Sequence, residues 1–322
     1  MDIVAAAKRL AAGELVAFPT ETVYGLGADA ANPHAVGKIF ALKGRPANHP
    51  VIVHVAGTHG LRDWGNDVPN AAIVLAEKFW PGPLTMIVRR SSRVPLIVTG
   101  GQESVGLRCP SHPMAQELLR EFERIGSGAI AAPSANKFGH VSPTTAQHVH
   151  DEFGATLPIL DGGACEVGLE STIVDLSRGA PVLLRPGAIT RSQIAKAIGM
   201  SLGDRDEHAP RASGTLAAHY APQTALTLMS PASLDMDVRN FANVAVLSLR
   251  EPSMGSKAIY WITASSEPAR YAHDLYANLR KLDDAGAKRI LVEAPPTAPE
   301  WEAVNDRLTR AAAGAAMIDD EP

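Results

Sequence analysis

The stretch NPHAVGKIFALKGRPANHPVIVHV, residues 32–55, changes period midway. Its first half, NPHAVGKIFALK, reads as a helix, with Asn32 as N-cap and Pro33 in the first turn. Gly44, Pro46 and Pro50 then break the pattern. The β-branched run VIVHV follows as a strand, with Val51, Val53 and Val55 on one face and Ile52 and His54 on the other. A helix that feeds a strand through a short break is the signature of an α/β layer fold. Lys43, at the end of that helical run, and Arg45 stand on either side of the one glycine that opens the break. Two like charges this close repel unless an anion sits between them. Arginine forks onto phosphate or carboxylate, and lysine adds a point charge. A solvated loop is the plain alternative.

The same alternation continues outward. Asp2 caps a helix that Gly13 ends, and LVAF is a strand. NAAIVLAEKFW is a helix stopped by Pro81 and Pro83, and LTMIVRR is a strand. SVGLRC, AIAA, LPIL, STIVDL and PVLLR are short strands, with helices at HPMAQELLREF, TTAQHVHDEF and TRSQIAKAIG. STIVDLSRGAPVLLR looks like a hairpin, so parallel and antiparallel pairs mix in one sheet. Residues 201–223 are polar, carry Pro and Gly and show no period, which marks a linker. Beyond them, 224–322 reads as a small β-α-β-type domain. The organisation is therefore a domain over 1–200, a linker over 201–223 and a second domain over 224–322.

Composition bounds the function. The chain has 322 residues, 46% hydrophobic and 20% charged, enough for two domains with large cores. A net charge of −4 gives no global basic footprint for nucleic acid, so any anion site is local. Cys109 and Cys165 stand in no CxxC spacing, which argues against a thiolate zinc site or a disulfide framework and fits a reducing compartment. The start lacks the layout of a signal peptide, and no run of about 18 apolar residues suggests a membrane helix. A cytoplasmic protein without membrane association is expected.

Several strand ends carry polar side chains suited to anions. FPTETVYGLGADA (18–30) offers Thr20, Glu21, Thr22 and two glycines, without a complete dinucleotide fingerprint. Arg108 ends the strand SVGLR just before Pro110, where α/β proteins commonly bind ligands. APSANKFGHVSPTTAQHV (132–149) presents Ser134, Asn136, Ser142 and Thr144 between a strand and a helix N-terminus. Ser171 opens a strand, Arg185 ends one, and His219 and Tyr220 stand in the linker, fixed by Pro222. Taken singly, each has an ordinary structural reading. Together they place cations, hydroxyls and an amide at strand ends, with almost no paired carboxylates and no metal-ligand cluster. Such chemistry positions and neutralises anions, as in nucleotidyl or phosphoryl transfer. No GxxxxGK[ST] loop is present.

In order and spacing, FPTETVYGLGADA, KGRPANHPVIVH, WPGPLT, VGLRCP, APSANKFGHVSPT, GLESTIVDL, LLRPGAI and the HYAP of the linker resemble the L-threonylcarbamoyladenylate synthase family with its YrdC-like domain. The likeness covers nearly the whole chain and is most specific in the first two hundred residues and at HYAP. It implies an α/β fold: a YrdC-like twisted mixed sheet with flanking helices, plus a small Rossmann-like α/β C-terminal domain. It implies a reaction in which L-threonine and bicarbonate form a carbamate that attacks the α-phosphate of ATP and releases pyrophosphate. The product passes to downstream tRNA threonylcarbamoyl-transfer proteins that modify the adenosine beside the anticodon. Mg2+ would arrive bound with ATP.

Carried over by motif, Lys43, Arg45, Ser134 and Asn136 would face the phosphates as catalytic groups. Arg45, His49, Ser104, Ser134, Ser142, Arg185 and Tyr220 would bind ATP, with Tyr220 as a lid. Thr22, His54, Arg108, Ser171 and the backbone of Ala132 would bind threonine, with no protein metal site. Residue 49 is His where some members have Asn, and the linker reads SGTLAAHYAP where others carry Pro-Gly. Two other readings compete: a carbamoyl-adenylate-forming domain, whose known host carries CxxC zinc motifs absent here, and a double-stranded RNA-binding module. The charge of −4 counts against RNA binding as the main role, and leaves weak RNA binding beside an enzymatic role.

Overall fold

A computed structural model describes residues 1–319, which divide into two compact units. The first comprises residues 1–138 and 143–215, and the second comprises Gly139–Ser142 with the chain from Leu216 onward. The division at Thr215/Leu216 falls inside the stretch 201–223 expected as a linker.

The first unit runs α1 (Ile3–Ala11), β1 (Val16–Phe18), β2 (Gly25–Asp29), α2 (Pro33–Lys43), β3 (Val53–Val55), α3 (Gly60–Trp64), β4 (Gly65–Asn66), α4 (Asn70–Phe79), β5 (Leu84–Arg90), α5 (Leu96–Thr99) and β6 (Ser104–Arg108). It continues with α6 (Pro113–Ile125), β7 (Ala129–Ala131), α7 (Ala146–Phe153), β8 (Thr172–Asp175), β9 (Val182–Arg185), α8 (Arg191–Ile198) and β10 (Gly203–Asp204). Among the described residues its strands form one ten-stranded mixed sheet in the order β1-β2-β7-β3-β6-β5-β8-β9-β10, with β4 on β5. The expected hairpin is the antiparallel pair β8–β9, with a register shift at Ile173/Val174. LPIL differs from expectation: it is not a strand, and only an isolated bridge joins Ile159 to Ala17.

Local chemistry sets the helix ends that matter for the site. Asp2 Oδ1 accepts the N–H of Ala5 at 2.7 Å and caps α1, an interaction worth about 1 kcal/mol. Asn32 accepts from the N–H groups of His34 and Ala35, with Pro33 in the first turn of α2. Gly44 ends that helix in the left-handed region, at φ +63°, which glycine adopts without a Cβ penalty. The chain therefore turns sharply between Lys43 and Arg45, and both side chains go inward, 4% and 7% exposed.

Helices α2, α4 and α8 cover one face of this sheet, packing Val36, Ile39, Leu75 and Ile194 with the strand residues Val53, Val55, Val105 and Leu107 in one core. On the other face, α1 and α6 cover only the part built on Val16, Phe18 and Ile130. The rest of that face has a floor of Ile52, Ile87, Ile173, Val182 and Leu184, and Ala209 and Ala212 pack on it in place of a helix. The candidate site lies on this floor.

The second unit contains β11 (Leu226–Met229), α9 (Pro231–Asn240), β12 (Val244–Ser248), β13 (Tyr260–Thr263), α10 (Pro268–Asp283), β14 (Arg289–Glu293) and α11 (Glu302–Asp319). Its four strands are all parallel, in the order β11-β14-β12-β13. Leu234 and Val238 of α9 pack on Val244, Val246 and Leu291.

Candidate active site

Strand pairing builds a row of functional side chains that are far apart in sequence. His54 on β3 is level with Arg108 on β6, Arg108 with Thr85 on β5, Thr85 with Ile173 on β8, and Ile173 with Arg185 on β9. Register partners point to the same face of a sheet, so His54, Arg108, Thr85 and Arg185 stand on the face that α1 and α6 cover only in part. Ser104 and Gly106 precede Arg108 on the same face, at period two. A shallow cleft opens there, with Ile52, Thr85, Ile87, Ser104 and Ile173 in its floor and Arg211–Ser213 along its side.

At the end of α2, the Lys43 ammonium donates to the carbonyl of Ser134 at 2.6 Å and to the carbonyl of Asn136. The Phe138 N–H donates back to the Lys43 carbonyl. Burial, and then the Arg45 charge, hold the Lys43 pKa well below the usual lysine value. Arg45 donates to the Pro50 carbonyl at 2.9 Å and to the Ser213 hydroxyl at 3.3 Å, and lies 5.7 Å from the centre of the Phe138 ring. His49 packs edge-on to the same ring at 5.4 Å. Burial and the charges of Arg45 and Arg211 lower its pKa. Lys43, Arg45, His49, Ser134 and Asn136 thus form one group around Phe138. Phe138 stands in the APSANKFGH stretch with no periodic or motif signal of its own.

Arg185 forks onto the Ser171 carbonyl through Nε at 3.1 Å and Nη2 at 2.9 Å, and donates to the Ser213 carbonyl at 2.9 Å. The Ser171 hydroxyl shares a 2.7 Å hydrogen bond with Thr85, a second residue not anticipated. Segment 211–213 is tied down further: Gln102 accepts the Arg211 N–H at 2.7 Å, and Arg211 donates to the Gly100 carbonyl at 2.7 Å. The first part of the expected linker is therefore an ordered strap. Its Ser213 is held by two arginines from the predicted ATP set.

Of the predicted threonine group, His54 and Arg108 are level on neighbouring strands. Thr22 is fully buried and bonded to the Thr20 hydroxyl at 2.8 Å. The Ala132 N–H is spent on the Ile52 carbonyl at 2.9 Å. His54 is 3% exposed, packs edge-on to Phe18, and its Nδ1 has no hydrogen-bond partner. Burial and the Arg108 charge push its pKa down to about 3. Glu21, picked out in the strand-end loop but given no role from the sequence, is 2% exposed. Its Oε1 lies 2.8 Å from Arg108 Nη2, and its Oε2 accepts the Ser111 N–H at 3.1 Å. The signal was in the sequence, as an acid between two threonines of a strand-end loop. Gly25 and Gly27 of the same stretch turn out to serve packing. A Cβ on Gly27 would meet Ile130 Cγ2 at 2.8 Å and the Phe18 ring at 2.9 Å.

Ser142 and Tyr220 belong to the second unit. Both are buried. Tyr220 has φ +64°, stacks on Tyr276 at 5.7 Å and lies under the Arg307 guanidinium at 5.2 Å, with His219 edge-on.

The buried neutral imidazole of His54 carries a pH consequence. An unfolded histidine takes its proton near pH 6.5, whereas the folded one resists it down to about 3. Stability should therefore fall as pH drops through that window, by on the order of 5 kcal/mol in all from this group. His54→Gln, which carries no titrating ring, is expected to flatten this acid limb in urea denaturation between pH 7 and 4. An unchanged limb would mean that the ring is not held neutral.

Fold and site define a mixed α/β protein that gathers anion-binding groups on the uncovered part of one sheet face. A family model described as telomere recombination, Sua5/YciO/YrdC, matches residues 8–187, and one described as threonylcarbamoyl-AMP synthase, C-terminal domain, matches residues 189–313. A threonylcarbamoyl-AMP synthase of Pyrococcus abyssi is 38% identical over 93% of this chain and 90% of its own length. One of Bacillus subtilis is 40% identical over 97% and 93%. A crystal structure of P. abyssi Sua5 complexed with L-threonine superposes with a TM-score of 0.88 at 36% identity, covering 97% of this chain and 94% of that one. The chain belongs to the Sua5/YciO/YrdC family, in its two-domain form.

Proposed function

We infer that the protein is a threonylcarbamoyl-AMP synthase, a nucleotidyltransferase acting on L-threonine, bicarbonate and ATP. The observation that carries this is the full-length likeness to synthases of that name, in a chain whose own residues build two separate anion-binding groups on one sheet face. Threonine and bicarbonate condense to the carbamate with release of water and a proton. A carbamate oxygen then attacks the α-phosphorus of ATP, and the bond to the β-phosphate oxygen breaks to free pyrophosphate.

Lys43 and Arg45, with Ser134 and Asn136, neutralise and orient the phosphates. His49, Ser104 and Arg185 complete ATP recognition within the first unit. Arg108 holds the threonine carboxylate, with Thr22, His54, Ser171 and Ala132 around it. Magnesium arrives on the triphosphate as part of the substrate. The donor set of cations, a hydroxyl and an amide suits a metal held by phosphate oxygens rather than by a carboxylate cage. Among the described residues no helix is long and apolar enough to cross a membrane. Both cysteines are free and buried, and burial pushes Cys109 up to about 11 and Cys165 up to about 12. A cytoplasmic setting suits such thiols. There the product is handed to proteins that modify tRNA next to the anticodon.

The test is pyrophosphate release with threonine and bicarbonate each omitted in turn. Release is expected only with both present, together with an adenylate product that incorporates labelled bicarbonate. Release indifferent to either would reject the assignment.

A further inference from the structure

Four polar atoms of the amino-acid subsite are buried without hydrogen-bond partners: Glu21 Oε1, His54 Nδ1, and Arg108 Nε and Nη2. Nε and Nη2 are the two donors on one edge of a guanidinium, the fork that takes a carboxylate side-on. Glu21 Oε1 lies 2.8 Å from Nη2 but out of line with its N–H, so the contact is an ion pair without a hydrogen bond. Its other oxygen is anchored by the Ser111 N–H, and its carbonyl by the Val167 N–H at 2.7 Å. A buried cation and a buried anion therefore stand side by side, rigidly held, each with unused hydrogen-bonding capacity. Leaving such capacity unused costs stability, so a ligand that completes both is favoured.

An α-amino acid supplies the matching pair. Its ammonium nitrogen and nearer carboxylate oxygen are separated by about 2.7 Å through fixed covalent geometry. That spacing corresponds to the 2.8 Å between Glu21 and Arg108. Set against each other, the two dipolar pairs form a closed square of alternating charge. A ligand with only one of these charges completes one side of the pair and leaves the other unsatisfied.

We propose that Glu21 is a specificity-determining residue of the amino-acid subsite. Its carboxylate accepts the substrate's α-ammonium while Arg108 takes the carboxylate, so the site selects the zwitterion over simple hydroxy acids and amines. This rests on the threonine-dependent reading above. Glu21 selects the form in which threonine enters. Deprotonation of the ammonium before attack on bicarbonate is a separate, later event.

Calorimetric binding with three probes tests it: L-threonine, 3-hydroxybutyrate (threonine without its amine) and 1-amino-2-propanol (threonine without its carboxylate). Wild type should prefer threonine to both analogues by about 10- to 100-fold, the range of a hydrogen bond to a charged group. Glu21→Gln keeps the size and the Ser111 bond. It should lose about that factor for threonine while 3-hydroxybutyrate binds as before or better, so that discrimination between the two collapses. Equal loss for threonine and 3-hydroxybutyrate would show that Glu21 only holds Arg108 and would overturn the proposal, and so would no loss for either. If Glu21→Gln does not fold by thermal melting, the wild-type ranking alone decides: threonine and 3-hydroxybutyrate bound equally would overturn it. Failure of wild type to bind threonine at all would instead reject the functional reading, and this inference with it.

Discussion

Lys43→Ala is expected to lower turnover by about 10²- to 10³-fold, the scale of removing one preorganised charge stabiliser from a buried site. Lys43 is placed for that role by three features of the chain. Gly44 ends α2 in the left-handed region, so the lysine is the last helical residue and its stem runs inward. Its ammonium is fixed by the Ser134 and Asn136 carbonyls, so no reorientation is needed when phosphate arrives. It is 4% exposed, so water screens its charge little. Burial and Arg45 hold its pKa well below the usual lysine value. The free enzyme therefore loses the protonated form, and with it phosphate binding, as pH rises towards the ordinary lysine range. Bound phosphate adds negative charge and raises that pKa again. The alkaline fall in kcat/KM should therefore come at lower pH than the fall in kcat, and Lys43→Ala should show neither limb at that position. Near-normal kcat in a folded Lys43→Ala enzyme would remove the phosphate role.

Much of this loop was legible because its signals are local. Asn32, Pro33, Gly44 and the alternation of VIVHV each act within a few residues of themselves. The hairpin at β8–β9 was visible for the same reason. The row His54–Arg108–Thr85–Arg185 was not, because strand order decides it. The sequence places β3, β5, β6, β8 and β9 on the chain, but only pairing puts β6 between β3 and β5. The assignment of Arg108 and His54 to one subsite comes from family resemblance; the register sets the two side by side on neighbouring strands. Glu21, Thr85 and Phe138 carried no periodic or spacing signal. A lone acid in a loop becomes notable only when an arginine from eighty-odd positions further on is found beside it. The strap was hidden differently. Beyond β10, residues 205–215 lack a period because they follow the sheet face through side chain-to-backbone bonds, such as Gln102 to Arg211 and Arg185 to Ser213. Aperiodicity marks a linker, yet it equally describes a segment ordered by side-chain bonds.

Arg108→Met is expected to have the second large effect, and it separates structure from function. Methionine fills much of the arginine's volume, so the cavity term is small. What remains is Glu21, 2% exposed, as a buried anion without its cation. Breaking a buried pair from one side costs about 3–5 kcal/mol. Thermal and urea unfolding should show a loss of that order, and threonine binding should be lost with it because the fork is gone. Adding Glu21→Gln to Arg108→Met removes the stranded charge. The double variant should regain most of the stability while threonine binding stays absent. The two changes are thus non-additive in stability, with a coupling of the size expected for residues in contact. Removing the stranded charge restores stability without restoring binding, because the carboxylate fork of Arg108 is still missing. If the double variant were no more stable than Arg108→Met, the ion pair would not be what the arginine contributes to folding. If it bound threonine as wild type does, the carboxylate would be held elsewhere, and the row on the sheet face would have to be read as a scaffold for a different contact.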